Sequence, residues 1–224
     1  MSVELDGPRI AAQSSTPRQL VVFLHGYGAD GNDLIDIGRI WQSALPDATF
    51  VSPHAPEPCA EAPIGRQWFG LTRRDPAERW NGAKKAAPVL QRFLDAELAR
   101  LKLPPTALAL VGFSQGTMMA LHVGLRRAVA PLGIVGYSGA LAAPNQTDVA
   151  AMAAEITSRP PVLLIHGDAD PVVPPQALPM SAAGLRALGV PVETHVSRGI
   201  GHGIGEDGLA LGAAFLAKAF ATRD

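Results

Sequence analysis

Cysteine is almost missing from this 224-residue chain. Cys59 stands alone, so no internal disulfide can form, and without a Cys/His cluster at ligand spacing it cannot anchor a structural zinc site. A reducing, cytoplasmic compartment is the expected setting. Excess charge is missing too: 19 Lys and Arg against 20 Asp and Glu leave a net charge of −1. The basic residues are scattered, so nothing gathers a polyanion, and neither nucleic acid nor an anionic membrane surface is an expected partner. No stretch of about 18 apolar residues occurs, which excludes a helical membrane span. The start, Met1-Ser2-Val3-Glu4-Leu5-Asp6, lacks the basic region and apolar stretch of a signal peptide. Internal repeats and low-complexity tracts are absent.

What is present is apolar and evenly spread. With 47% hydrophobic residues, the chain can bury one sizeable core, and a single domain over 1–224 is expected. Short apolar runs recur at Leu20 to Leu24, Thr49 to Val51, Ala107 to Val111, Leu132 to Val135, Val162 to Ile165 and Val192 to Val196. Several are rich in Val and Leu without clean alternation, the pattern of strands buried on both faces. Between them the spacing predicts helices over 34–43, 81–102 (with Pro88 as a kink or the true start), 115–127, 147–157, 176–188 and 205–222. On the last, Leu209, Ala213, Leu216 and Phe220 form one stripe, read as core. Strands alternating with helices call for an α/β fold, a mostly parallel central sheet with helices on both faces.

Between 53 and 80 this rhythm fails. Pro53, Pro56, Pro58, Pro63 and Pro76 break any long element, while Ile64, Trp68, Phe69, Leu71 and Trp80 stay apolar. A long irregular segment with aromatic side chains suits a loop covering an apolar ligand. Filling of core beneath the loop by Trp68 and Trp80 is the alternative.

The most informative stretch is Gly112-Phe113-Ser114-Gln115-Gly116. It follows the apolar run 107–111 and precedes Thr117-Met118-Met119-Ala120-Leu121-His122-Val123, the strand, sharp turn and helix of a nucleophile elbow. The glycines leave room for a strained turn that lifts the Ser114 hydroxyl clear of the sheet. A serine needs a base to take its proton, and that base needs a third group to orient it. On this architecture the order is serine, acid, histidine.

Downstream, the run Val162 to Ile165 leads into His166-Gly167-Asp168-Ala169-Asp170-Pro171, which offers two acids. Asp170 is favoured because Pro171 holds its backbone extended and projects the carboxylate away from the strand end. Asp168 sits where a side chain more often bonds its own turn. After the next strand, Gly201-His202-Gly203 places a histidine between glycines, free to approach the elbow closely. His54, His122 and His195 lack such a setting, and His166 reads as a packed, hydrogen-bonded residue. A second glycine-rich turn, His25-Gly26-Tyr27-Gly28-Ala29-Asp30-Gly31, ends the first long strand and can supply a backbone donor to the carbonyl oxygen, with another from the residue after the nucleophile, Gln115. That turn has no Gly-Lys-Ser/Thr ending, so nucleotide binding is not expected.

Taken together, His25 to Asp30, Trp68-Phe69, Gly112 to Gly116, Ser138-Gly139, His166 to Pro174 and Gly201-His202-Gly203 resemble the phospholipase/carboxylesterase family of α/β hydrolases, which includes bacterial carboxylesterases and acyl-protein thioesterases. The resemblance implies the α/β-hydrolase fold, Ser114 as nucleophile, His202 as base and Asp170 as orienting acid. It further implies Tyr27 and Gln115 as oxyanion amides, and Trp68 with Phe69 as substrate contacts beside the acyl groove. Gly70 stands where members often carry an acid. The expected activity is hydrolysis of small to medium acyl esters through an acyl-enzyme, or of acyl thioesters or lysophospholipids, with no metal or cofactor. A catalytically silent ligand-binding α/β-hydrolase fold is the alternative outside enzymes. Oligomeric state is not readable.

Overall fold

Five strands, each buried along most of its length, set the centre of the molecule in a computed structural model that describes residues 4–144 and 150–222. In chain order the strands are β1 (Arg9–Ile10), β2 (Gln19–Leu24), β3 (Ala48–Val51), β4 (Glu57–Pro58), β5 (Arg66–Gln67), β6 (Leu108–Phe113), β7 (Gly133–Tyr137), β8 (Val162–Gly167) and β9 (Val192–Ser197). The helices are α1 (Asn32–Trp41), α2 (Pro76–Leu101), α3 (Gln115–Gly124), α4 (Ala150–Ala153), α5 (Ala177–Ala187) and α6 (Glu206–Ala221). Seven strands form one sheet in the order β1-β3-β2-β6-β7-β8-β9. All its pairings are parallel except that of β1 with β3. The central sheet is therefore of the expected kind, mostly parallel and covered by helices on both faces.

Alternation along β2 assigns the two faces. Leu20, Val22 and Leu24 join Leu90 and Leu94 of α2, Met119 of α3 and Leu185 of α5 in one core. Val21 and Phe23 turn the other way, towards Ile35 and Trp41 of α1 and Leu216 and Phe220 of α6. Both clusters exclude water, and each fully buried Leu or Phe stabilises the fold by roughly 1.5–3 kcal/mol. The 209–220 stripe of α6 packs on this second core, with Leu209 and Ala213 partly buried against it.

Three features depart from the sequence expectations. The helix expected over 81–102 begins five residues earlier, at Pro76, because proline suits the first helical position, where no N–H is needed. Asp75 caps it by accepting from the Glu78 amide at 2.7 Å. The helix passes through Pro88, which lies on its exposed side. The 53–80 segment is not wholly irregular, since β4 and β5 pair as a short antiparallel ribbon within it. Of the helix expected over 147–157, residues 145–149 lie outside the described residues, and α4 begins at 150.

Every chemically interesting loop leaves the carboxyl end of a parallel strand: 25–31 after β2, Ser114 after β6, Ser138 after β7, 168–176 after β8 and 198–205 after β9. A parallel sheet brings all these ends to one edge, where ligands bind in open α/β sheets.

Candidate active site

Ser114 links β6 to α3 with φ 52° and ψ −112°, a left-handed conformation that costs a non-glycine residue roughly 1–3 kcal/mol. Its two glycine neighbours explain how the turn closes. A Cβ on Gly112 would overlap the backbone of Gly116, and one on Gly116 would overlap the Leu24 carbonyl. The turn is braced from behind: the Ser114 amide donates to Tyr137 O at 2.9 Å, and the Thr117 hydroxyl reaches the carbonyls of Gly112 and Tyr137 at 2.8 and 2.9 Å.

Over this serine lies the His202 ring. Ser114 Oγ is 3.0 Å from Nε2, and Nδ1 is 2.8 Å from Asp170 Oδ2. An Nδ1–H donating to the carboxylate leaves Nε2 free to accept the serine proton. The Phe113 ring packs against the imidazole with centroids 5.0 Å apart. The loops of acid and base are laced together, the Ala169 amide donating to Ile200 O at 3.0 Å and the Asp168 amide to Ser197 O at 3.2 Å.

Asp170 is fully buried at its side chain. Burial alone would raise its pKa, but hydrogen bonds from His202 and from the amides of Val173 and Val172, at 2.9 and 2.8 Å, outweigh that and hold it below the usual carboxylate range. The two aspartates thus exchange the turn contacts expected of them. It is Asp170 that bonds amides of its own turn, with Oδ1, while Oδ2 is left for His202. Asp168 instead reaches the neighbouring loop, accepting from the Gly199 amide at 2.6 Å. Buried His166 lies beside the acid, Nε2 2.9 Å from Val173 O and 3.2 Å from Asp170 Oδ2.

On the other side of Ser114 runs the 25–31 loop. Its glycines fall at G-x-G-x-x-G spacing, that of a dinucleotide loop, yet protein neighbours account for the first and last. A Cβ on Gly26 would press on Phe113, and one on Gly31 would overlap the Ser52 carbonyl. His25 fixes the loop from beneath. Its Nδ1 donates to Gly26 O at 2.8 Å, and Nε2 accepts from the Ala55 amide at 3.0 Å, so the ring is neutral. Burial pushes its pKa down to about 4. Among the described residues, the amides of Tyr27 and Gln115 donate to no protein group, which leaves both available to an oxyanion.

The 53–80 segment does not roof this site with its aromatic rings. Trp68 and Phe69, expected to contact substrate, are 1% and 3% exposed and belong to the core, as does Trp80. The Trp68 indole N–H donates to His25 O at 3.0 Å. The Gln115 side chain grips the same strand of chain, accepting from the Trp68 amide at 2.9 Å and donating to Phe69 O at 2.8 Å. Trp68 thus braces the 25–31 loop from behind, and the alternative of core filling holds for Trp68 and Trp80. The apolar groove lies elsewhere: a cavity of about 280 Å³, walled by Met118 one turn beyond Ser114, Leu141 after β7, Val172 and Val173 beside the acid, and Met180 of α5.

A sequence model of the phospholipase/carboxylesterase family matches residues 5–220. The chain belongs to that family. Acyl-protein thioesterase 1 of Gibberella zeae is 27% identical to it over 94% of each chain, and acyl-protein thioesterase 1 of Schizosaccharomyces pombe 31% identical over 69% of each. Among solved structures, esterase PE8 is 44% identical with a TM-score of 0.90, covering 97% of this chain and all of that one. Acyl-protein thioesterase 2 of Zea mays, 23% identical with a TM-score of 0.72 over 95% of this chain and 97% of its own, shares the fold.

As a phospholipase/carboxylesterase family hydrolase, this chain carries site residues that sequence reasoning missed. Ser138, which the sequence offers only within a Ser-Gly pair, has φ 46° and donates its hydroxyl to Gly203 O at 3.0 Å, steadying the residue next to His202. While Val172 to Pro174 end the His166 to Pro174 stretch, the groove walls at 140–143 and 176–181 carry no motif. Their only signal is position, directly after the carboxyl ends of β7 and β8. A Cβ on Gly70 would make only an ordinary contact, with the Gln67 side chain at 3.8 Å.

Proposed function

We propose that this hydrolase cleaves small to medium carboxylic esters through a Ser114 acyl-enzyme. The hydrogen-bonded chain from Ser114 through His202 to Asp170 supports this reading above all. His202 Nε2 takes the hydroxyl proton as Oγ attacks the carbonyl carbon, and Asp170 stabilises the imidazolium that forms. The amides of Tyr27 and Gln115 receive the oxyanion, a contribution worth about 10²–10³ in rate per donor in comparable sites. Collapse expels the alcohol, protonated from Nε2. Water, deprotonated by the same nitrogen, then attacks the acyl carbon and frees Ser114. Small-molecule esters come first because the cavity is modest, below the usual 300–1,000 Å³ of ligand sites. A second reading, thioesterase action on acylated proteins, draws on the names of the fungal relatives.

A fluorophosphonate probe tests the central claim. Stoichiometric labelling should vanish in Ser114→Ala and in His202→Ala, together with hydrolysis of p-nitrophenyl acetate. Hydrolysis persisting unchanged in Ser114→Ala would remove the proposal. A chain-length series of p-nitrophenyl esters run beside acyl thioesters separates the two readings.

A further inference from the structure

We propose that the preferred substrate carries a carboxylate at the end of its apolar acyl arm and that Arg79 receives it, an inference resting on the esterase reading above. The observation is a guanidinium that, among the described residues, has no partner and stands on a largely apolar wall. Arg79 lines the cavity from the first turns of α2, half-buried, facing a surface made largely of Ala, Leu, Val, Pro and Met. Among the described residues its side chain makes no ion pair or hydrogen bond. Every other arginine between 66 and 79 is engaged: Arg66 with the carbonyls of Ala55 and Pro56, Arg73 with Asp75, and Arg74 with Glu61.

The acids nearest to Arg79 in sequence are also committed. Asp75 caps α2 and pairs with Arg73, while Glu78 accepts from the amides of Thr72, Arg73 and Arg74 at 2.9, 2.9 and 2.6 Å. No Asp or Glu lines the cavity among the described residues. A cation so placed gains most from an anion that arrives with the ligand, since filling the cavity displaces water and strengthens the pairing.

A carboxylate fits better than a phosphate. The planar guanidinium meets a carboxylate with two parallel hydrogen bonds. Arg79 is the only cation on the wall among the described residues, so a phosphate dianion would leave one charge facing apolar side chains. Gln176, exposed at the start of α5, adds a neutral donor on the same wall. Met118 on the same wall lies four residues along the chain from Ser114, so an apolar arm can run from the reacting carbonyl onto this surface. Hydrolysis adds the hydroxyl of water to the acyl carbon and its remaining proton to the departing alcohol. The product released is therefore a dicarboxylate.

The test compares two esters of equal chain length on the purified full chain, 4-nitrophenyl hydrogen suberate and 4-nitrophenyl octanoate. In the native protein the ratio of their kcat/KM values favours the suberate, and it falls as salt is raised. Arg79→Gln lowers that ratio at least about tenfold, mainly through KM for the suberate, and Arg79→Lys restores part of it. Because both esters meet the same variant, general damage to the protein cancels in the ratio. A ratio unmoved by Arg79→Gln overturns the inference. Cleavage of neither ester by the native protein overturns the esterase reading instead.

Discussion

Asp168 and Asp170 lie two positions apart on one loop, and their carboxylates serve different partners. Oδ2 of Asp170 holds the Nδ1–H of His202 at 2.8 Å, and a carboxamide in its place can present an N–H to the ring and favour the wrong tautomer. Asp170→Asn should therefore lower kcat by about 10³–10⁴-fold while KM changes little. Asp168→Asn should stay within a fewfold of native kcat, since an amide oxygen can still accept from Gly199. Steady-state rates on p-nitrophenyl acetate decide it, and equal losses in the two variants would contradict the assignment. The position of Pro171 made the choice between these acids readable in advance, but the reason was incomplete. Sequence spacing could not show that the Val172 and Val173 amides occupy one oxygen of Asp170 and so aim the other.

At the level of elements, buried strands were easy to read because a sheet covered on both faces needs continuous apolar runs, as in Gln19–Leu24 and Leu108–Phe113. Strands β1, β4 and β5, of two residues each, leave no such run. The start of α2 was hidden for another reason: Pro76 was counted among the breakers although it occupies the first helical position, behind a capping aspartate. The Trp68 and Phe69 rings were harder still, because whether an aromatic residue roofs a ligand or fills a core depends on partners such as Gln115, 46 and 47 residues away. The cap of α2 is open to direct measurement. Asp75→Ala removes both the bond to the Glu78 amide and the pairing with Arg73, and should cost about 1 kcal/mol, a fall of about 2–4 °C in Tm for a chain of this size. Asp75→Asn or Asp75→Ser should recover most of it, and calorimetry on the three variants would expose a loss unrelated to capping.

Across the whole molecule, two neutral histidines tie stability to pH. Burial pushes His25 down to about 4 and His122 down to about 3, from an ordinary value of 6.5. His122 packs edge-on against Trp80, with its Nδ1 unpartnered among the described residues. Below about pH 6.5 the unfolded chain binds protons at both positions while the folded chain does not, so stability falls as pH drops towards about 4. Each histidine contributes a slope of up to about 1.4 kcal/mol per pH unit in that window, and neither contributes above it. Urea midpoints measured between about pH 7.5 and about pH 5 should therefore decline on the acid side, and His122→Phe, which keeps an aromatic contact with Trp80, should flatten the decline. An unchanged slope in that variant would mean the His122 ring is charged in the folded state. His25 carries the same linkage into the active site: protonating its Nε2 removes the acceptor for the Ala55 amide at 3.0 Å, the bond that seats the 25–31 loop beside Ser114. Acid should thus loosen the Tyr27 side of the site before the sheet beneath it gives way. Amide hydrogen exchange at Tyr27 and Ala55 should quicken at a pH where far-UV circular dichroism is still native, and onset of faster exchange only as the dichroism is lost would rule out this local step.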